Sequence, residues 1–193
     1  GAGAVPIDVR AMGIDFAACS TFKWLMGVKG FGFLYVREDL QGTVAKPTQH
    51  CGGVSFEYPP WRQAAHSDGD IAYAPVSGPG MYEVSYPSYE GAVSAQVSLR
   101  YILDLGIDRI RAHARELTDR LQREMPALGY RSITPHDNQS PIVSFVAADP
   151  DATMARLKQA GVHVALRFGD IMRISPSVYN NHHDLDRLLA ALP

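Results

Sequence analysis

The chain has 193 residues, 46% hydrophobic and 20% charged, with a formal net charge of -2. These values suit one large or two small globular domains and exclude a general affinity for nucleic acid or anionic membranes. Two cysteines, Cys19 and Cys51, are too few for a disulfide framework or a zinc quartet, so a reducing, cytoplasmic setting is expected.

Taken in order, Val5-Pro6-Ile7-Asp8-Val9 is extended, because a proline restricts its predecessor. The opening has no basic segment and no long apolar run, so no signal peptide is read there, and no stretch reaches the ~18 apolar residues of a membrane span. It also lacks a methionine and reads like the middle of a chain. Asp8 to Met12 suits one helical turn closed by Gly13. Ile14 to Cys19 reads as a strand buried on both faces, and Phe31 to Val36 as a second buried strand. A short polar helical turn follows at Arg37 to Leu40.

Residues 42 to 88 are dense in proline and glycine, which argues for loops and short strands at Ser55 to Tyr58 and Ile71 to Tyr73. Long irregular stretches inside a domain are usually functional. From Tyr89 the spacing turns helical through Leu105, with Gly106 as the stop. Asp108 is placed to cap a second helix whose buried face is Ile110, Ala114, Leu117 and Leu121, ended by Pro126. Strands are expected at Tyr130 to Thr134, Ile142 to Val146, Val162 to Leu166 and Ile171 to Ser175. Helices are expected at Asp149 to Gln159 and Asp184 to Leu192. This last third reads as a small layer of helices on a sheet, with a boundary near Gly106.

Lys23 is the residue that asks for an explanation. An arbitrary lysine in a loop is a solvated surface charge. This one is set between two strands expected to be buried, where an ammonium costs several kcal/mol unless paired or neutralised. A lysine that loses its charge becomes a nucleophilic amine able to condense with a carbonyl. Ser20 offers a hydroxyl suited to a phosphate oxygen, and Gly27, Gly30 and Gly32 let backbone approach closely.

The run Ser20-x-x-Lys23-Trp24-Leu25-x-Gly27-x-x-Gly30-x-Gly32-x-Leu34-Tyr35-Val36 follows Pro6-Ile7-Asp8-Val9-x-x-Met12-Gly13-Ile14-Asp15-Phe16. Together they resemble the cofactor-lysine segment of the class V aminotransferase family. These are fold-type-I proteins dependent on pyridoxal 5'-phosphate (PLP), and they include cysteine desulfurases, selenocysteine lyases, isopenicillin N epimerases and kynureninases. The resemblance implies that Lys23 forms the internal aldimine and shuttles the α-proton, and that Ser20 contacts the cofactor phosphate. Arg173-x-Ser175-x-x-x-Tyr179-Asn180 resembles the family segment whose arginine binds the substrate α-carboxylate, a role suited to a planar bidentate donor. Arg167 is a weaker second candidate, equally readable as a solvated charge. The helix pair from Tyr89 through Ile110 also fits.

The implied fold is α/β: the C-terminal part of a fold-type-I PLP-dependent transferase. It comprises the end of the large-domain sheet (1–105) and a small α/β C-terminal domain (106–193). The implied function is that of a PLP-dependent enzyme acting on an amino acid, a lyase of the C–S or β-elimination type by preference. An aminotransferase or epimerase is the near alternative, and a non-catalytic half-chain with a structural role is the distant one. Homodimerisation is implied as well.

Departures from the family pattern carry information. Phe22 stands where desulfurases have histidine before the lysine. Ser85-Tyr86 stands where a Gly-Thr reaches the partner's phosphate, so Tyr86 or Ser88 is the substitute hydroxyl. No cysteine lies between Val162 and Arg173, where desulfurases carry theirs on a mobile loop. The aspartate that pairs with the pyridine nitrogen, and the group stacking on the ring, are expected upstream of Gly1. The chain is therefore expected to be about the second half of an enzyme and to catalyse little without the N-terminal half. Other candidates have plainer readings. His50-Cys51 reads as pocket or structural residues, His182-His183 as a solvated turn, Cys19 as a small core residue and Lys29 as a surface charge, and no metal site is read.

Overall fold

A computed structural model describes residues 1–46, 78–83 and 88–192. The chain divides into two units, Asp8–Ser98 on one side and Gly1–Ile7 with Leu99–Pro193 on the other. The strands expected at Ser55 to Tyr58 and Ile71 to Tyr73, the His50-Cys51 pair and Tyr86 lie outside the described residues.

In the Asp8–Ser98 unit, the turn closed by Gly13 forms as the spacing predicts. The Met12 amide donates to the Asp8 carbonyl at 2.9 Å, and Gly13 takes φ 62. The Asp8 carboxylate accepts from the Ala11 and Arg10 amides, which hold its pKa below the ordinary carboxylate value. Strand β1 (Phe16–Ser20) then pairs antiparallel with β2 (Gly32–Val36), from Phe16 opposite Val36 to Ser20 opposite Gly32. Arg37, at the end of β2, bridges Asp15 and Asp39 and ties the following 3-10 turn, Glu38–Leu40, to the hairpin.

The expectation of strands buried on both faces is corrected. Phe16, Phe33 and Leu34 are 52%, 48% and 53% exposed. Among the described residues the sheet has two strands only, so an apolar run able to be covered on both faces is left uncovered here. Cys19 is half-buried, not a core residue. Helix α1 (Tyr89–Leu105) has the predicted limits. Its start is capped by Ser88, whose hydroxyl accepts from the Gly91 amide at 3.1 Å. Gly91 is required there, since a Cβ would fall 2.7 Å from the Phe31 Cβ.

The other unit is built on a real core. Helix α2 (Ile107–Glu124) buries Ile110, Ala114, Leu117 and Leu121, the face its spacing predicts. Its cap is corrected: Gly106 occupies that position at φ 84, a left-handed conformation that disfavours other residues. Asp108 sits in the first turn, where its charge favours the helix dipole. The sheet contains β3 (Arg131–Ser132), β4 (Val143–Val146), β5 (Ala165–Arg167) and β6 (Ile171–Ile174), in the order β3-β4-β6-β5 and antiparallel throughout. Helix α3 (Pro150–Gln159) connects β4 to β5 and is capped by Asp149, which accepts from the Ala152 amide at 2.9 Å.

Helix α4 (His182–Ala191) begins with a reciprocal capping box between Asn181 and Asp184. His182 and His183 are thus its first residues rather than a preceding turn, and His182 Nε2 lies 2.8 Å from Glu116 on α2. Strand alternation decides the core. Val143 and Phe145 on β4, with Met172 and Ile174 on β6, face Leu117, Leu121, Leu157, Leu185 and Leu188 from the helices. Each such side chain contributes about 1.5–3 kcal/mol by burial. Among the described residues, no helix is long and apolar enough to cross a membrane.

Candidate functional site

The loop between β1 and β2 is closed by one buried threonine. Thr21 is 1% exposed. Its amide donates to the Phe31 carbonyl at 3.1 Å, and its hydroxyl lies 2.9 Å from that oxygen and 3.1 Å from the Val28 carbonyl. Its own carbonyl accepts from the Gly27 amide at 2.8 Å. The two ends of the loop are therefore fixed to each other by a residue whose polar groups are all engaged inside the protein. Leu25 is buried and anchors the middle. A Cβ on Gly27 would meet the Thr21 side chain at 2.8 Å, and one on Gly32 would meet the Cys19 carbonyl oxygen at 2.7 Å. Both glycines are needed for this closure.

Lys23 sits on the outer turn of the loop, where the Met26 amide donates to its carbonyl at 2.9 Å and Met26 takes φ 53. Its side chain is exposed in this chain, which corrects the expectation of a lysine desolvated between buried strands. Nζ stands 5.6 Å from the centroid of the Phe22 ring, a cation–π contact. Ser20 ends β1 with its side chain exposed as well. The pair presents an amine that can add to a carbonyl and a hydroxyl that can donate to an oxyanion. That donor chemistry fits a phosphate-bearing aldehyde such as PLP. Lys29 is exposed on the same loop.

Thr21 was not legible as a site residue, because nothing in a sequence marks a threonine as buried. Replacing it by valine removes the hydroxyl donor from two loop carbonyls at nearly constant volume. A loss of about 1–3 kcal/mol of stability is expected, read as a lower urea midpoint, with faster exchange of the Gly27 amide proton.

Arg173 lies on β6 with Ser144 of β4 and Ala165 of β5 as its register partners, on the face away from the core. Its Nε is buried and has no hydrogen-bond partner among the described residues. An N–H left in that state costs about 1–3 kcal/mol, so the position suits a group that accepts from it. The segment after it is held by Asn180. That side chain accepts from the Ser177 amide at 3.0 Å and donates to Asp184 at 3.2 Å, while the Asn180 backbone carbonyl lies 2.8 Å from His113 Nε2. The Asn180 side-chain amide, and after it the Asn181 backbone amide, donate to the Asp184 carboxyl and hold it below its ordinary pKa. Ser88 accepts from Gly91 as the cap of α1 and donates its hydroxyl to Glu90 at 3.2 Å, so a phosphate there would compete with the Glu90 carboxylate for that proton. Lys23 and Ser20 belong to one unit and Arg173 to the other.

The sequence matches the profile of the family Aminotransferase class-V over residues 1–188. A probable cysteine desulfurase 2 of Mycobacterium leprae is 30% identical over 207 residues, covering 97% of this chain and 46% of that protein. Among solved structures, the apo cysteine desulfurase of Thermococcus onnurineus NA1 superposes with a TM-score of 0.81 at 24% identity, over 98% of this chain and 48% of that one. A C-DES mutant with glycine covalently linked to its PLP cofactor superposes equally well, with a TM-score of 0.81 at 19% identity and the same coverage. The α/β architecture is thus that of the PLP fold-type-I desulfurase structures, and the chain spans about half the length of the relatives it matches. With a family profile matched from Gly1 to Leu188, the chain belongs to the aminotransferase class-V family.

Proposed function

We propose that this chain carries the cofactor lysine and the substrate-carboxylate arginine of a PLP-dependent enzyme acting on an amino acid. The observation that carries the proposal is the Lys23 amine, exposed on a loop whose ends are hydrogen-bonded to each other through Thr21. Lys23 binds the cofactor through Nζ and moves the substrate α-proton with the same atom. Ser20 Oγ donates to a phosphate oxygen. Arg173 takes the substrate α-carboxylate, which satisfies its buried Nε. When bound, PLP supplies an electron sink for charge at the substrate Cα.

The finer reading is a lyase of the C–S or β-elimination type, favoured by likeness to the desulfurase relatives. Persulfide formation on a cysteine next to Arg173 is not part of it, since no cysteine lies between Val162 and Arg173. In this reading residues 1–105 belong to the cofactor-binding domain and 106–193 to the smaller one, and the working enzyme is a cytoplasmic homodimer. Reduction of the full-length, PLP-treated protein with borohydride, followed by peptide mass spectrometry, tests the lysine. The label is expected on Lys23. A label on Lys29, or none, overturns the proposal.

A further inference from the structure

Two arginines share one face of the β5–β6 hairpin. Arg173 stands opposite Ala165, and Arg167 opposite Ile171. Partners in antiparallel register point to the same face, so Arg167 and Arg173 are diagonal neighbours on the side away from Phe145 and Met172. Diagonal Cβ atoms in such a pair are separated by about 7–8 Å, well within the reach of two guanidinium groups converging on one small ligand. The strand residues around them on that face are Ser144, Val146, Ala165 and Ile171, none of them acidic. Asp170, in the turn, forms no ion pair with either arginine.

Several of the other arginines in the described residues are engaged, though not all: Arg111 and Arg115 pair with carboxylates on their own helix, whereas Arg10, Arg100, Arg123, Arg131 and Arg156 have no such partner. Arg37, Arg109, Arg120 and Arg187 all donate to carboxylate or carbonyl oxygens. Arg167 and Arg173 donate to none, and Arg173 Nε is buried in that state. Arg131 is on the same face but three strands away from Arg167, at about 14 Å by strand spacing, too far to serve the same small molecule. Two neighbouring cations with no carboxylate between them repel each other, and a dianion between them relieves that repulsion.

We infer that Arg167 is a specificity-determining residue that binds a second acidic group on the substrate. The enzyme would then act on an amino acid with an anionic side chain, a carboxylate or a phosphonate, with Arg173 on the α-carboxylate and Arg167 on the far acid. This rests on the assignment of Arg173 made above.

Calorimetric titration of the full-length protein with succinate, succinamate and 3-phosphonopropionate tests it without requiring turnover. Succinate presents two carboxylates, whereas succinamate replaces one by a neutral amide of the same size. Wild type is expected to bind succinate about tenfold more tightly than succinamate, the scale of one charge-assisted hydrogen-bonded contact. Arg167→Gln is expected to bring the two affinities within about twofold while leaving succinamate unchanged, which also shows that the variant is folded. Arg173→Gln is expected to weaken both. Comparing succinate with 3-phosphonopropionate names the second acid, provided that Arg167→Gln removes the preference found. If wild type shows no preference for a dianion, or Arg167→Gln preserves it, the second-acid site is overturned. If Arg173→Gln leaves every affinity unchanged, the α-carboxylate assignment fails instead.

Discussion

Lys23→Ala is expected to abolish turnover and leave the fold in place. The two halves of that expectation come from different observations. The lysine side chain is exposed, and its recorded interaction is the cation–π contact to Phe22. Such a contact at an exposed site is worth about 0.5–1 kcal/mol, so the urea midpoint moves little. The loop is closed by Thr21, Gly27 and Phe31, none of which the substitution touches. On the function proposed above, the chemistry in contrast loses both the amine that binds the cofactor and the group that carries the α-proton. Loss of a positioned acid–base group alone lowers rates by about 10²–10⁴-fold, and loss of the attachment point adds to that. Turnover and unfolding measured on one preparation check both halves. Activity within tenfold of wild type would remove Lys23 from the mechanism, and a collapsed midpoint would make it a structural residue.

Phe145→Ala is expected to have the largest effect on stability. Phe145 is fully buried on β4 and stands opposite Met172 on β6, at the centre of the cluster formed with Leu121, Met125 and Leu157. Truncation there leaves a cavity that β4 and β6 cannot close without breaking their register. A loss of about 3–5 kcal/mol is expected from comparable truncations, a large share of the ~5–15 kcal/mol that stabilises a typical domain. Equilibrium unfolding in urea measures it. A loss below ~1 kcal/mol would mean that the sheet and helices repack freely. Because Arg173 adjoins Met172 on the same strand, weaker succinate binding is also expected before the midpoint is reached.

Regular elements were legible where one periodicity dominates. The limits of α1 and the buried face of α2 follow from spacing alone, and so does the start of α3 at Asp149-Pro150. The cap of α2 was missed because two signals compete. Asp108 has the right chemistry, but Gly106 alone accommodates the backbone, and conformation outweighs side-chain preference at that junction. Burial of the β1–β2 hairpin was missed for another reason. An apolar strand records that it can be covered, not what covers it, and the described residues leave Phe16, Phe33 and Leu34 accessible.

The site was legible in part. Lys23 was singled out by its setting and Arg173 by the resemblance of its segment to the family's, and the structure adds their contrasting states, one exposed and one with a buried orphan N–H. Thr21 could not be found, since its role depends on two carbonyls seven and ten residues away. In the sequence Arg167 reads as a weaker second candidate beside Arg173, equally a solvated charge. Its place on the same face requires the register of β5 on β6, which no spacing rule supplies.

That register makes loop length a chemical variable. β5 and β6 are joined by Phe168, Gly169 and Asp170 alone, with Phe168 at φ 53 and Gly169 at φ 92. One residue more or fewer in this turn would let β6 slide by a single position and invert it. Arg173 would then point at Phe145 and Leu157, and Met172 would take its place on the face away from the core. A three-residue turn thus determines the side on which a guanidinium emerges, and with it, on the function proposed above, the charge of the molecule the protein can hold.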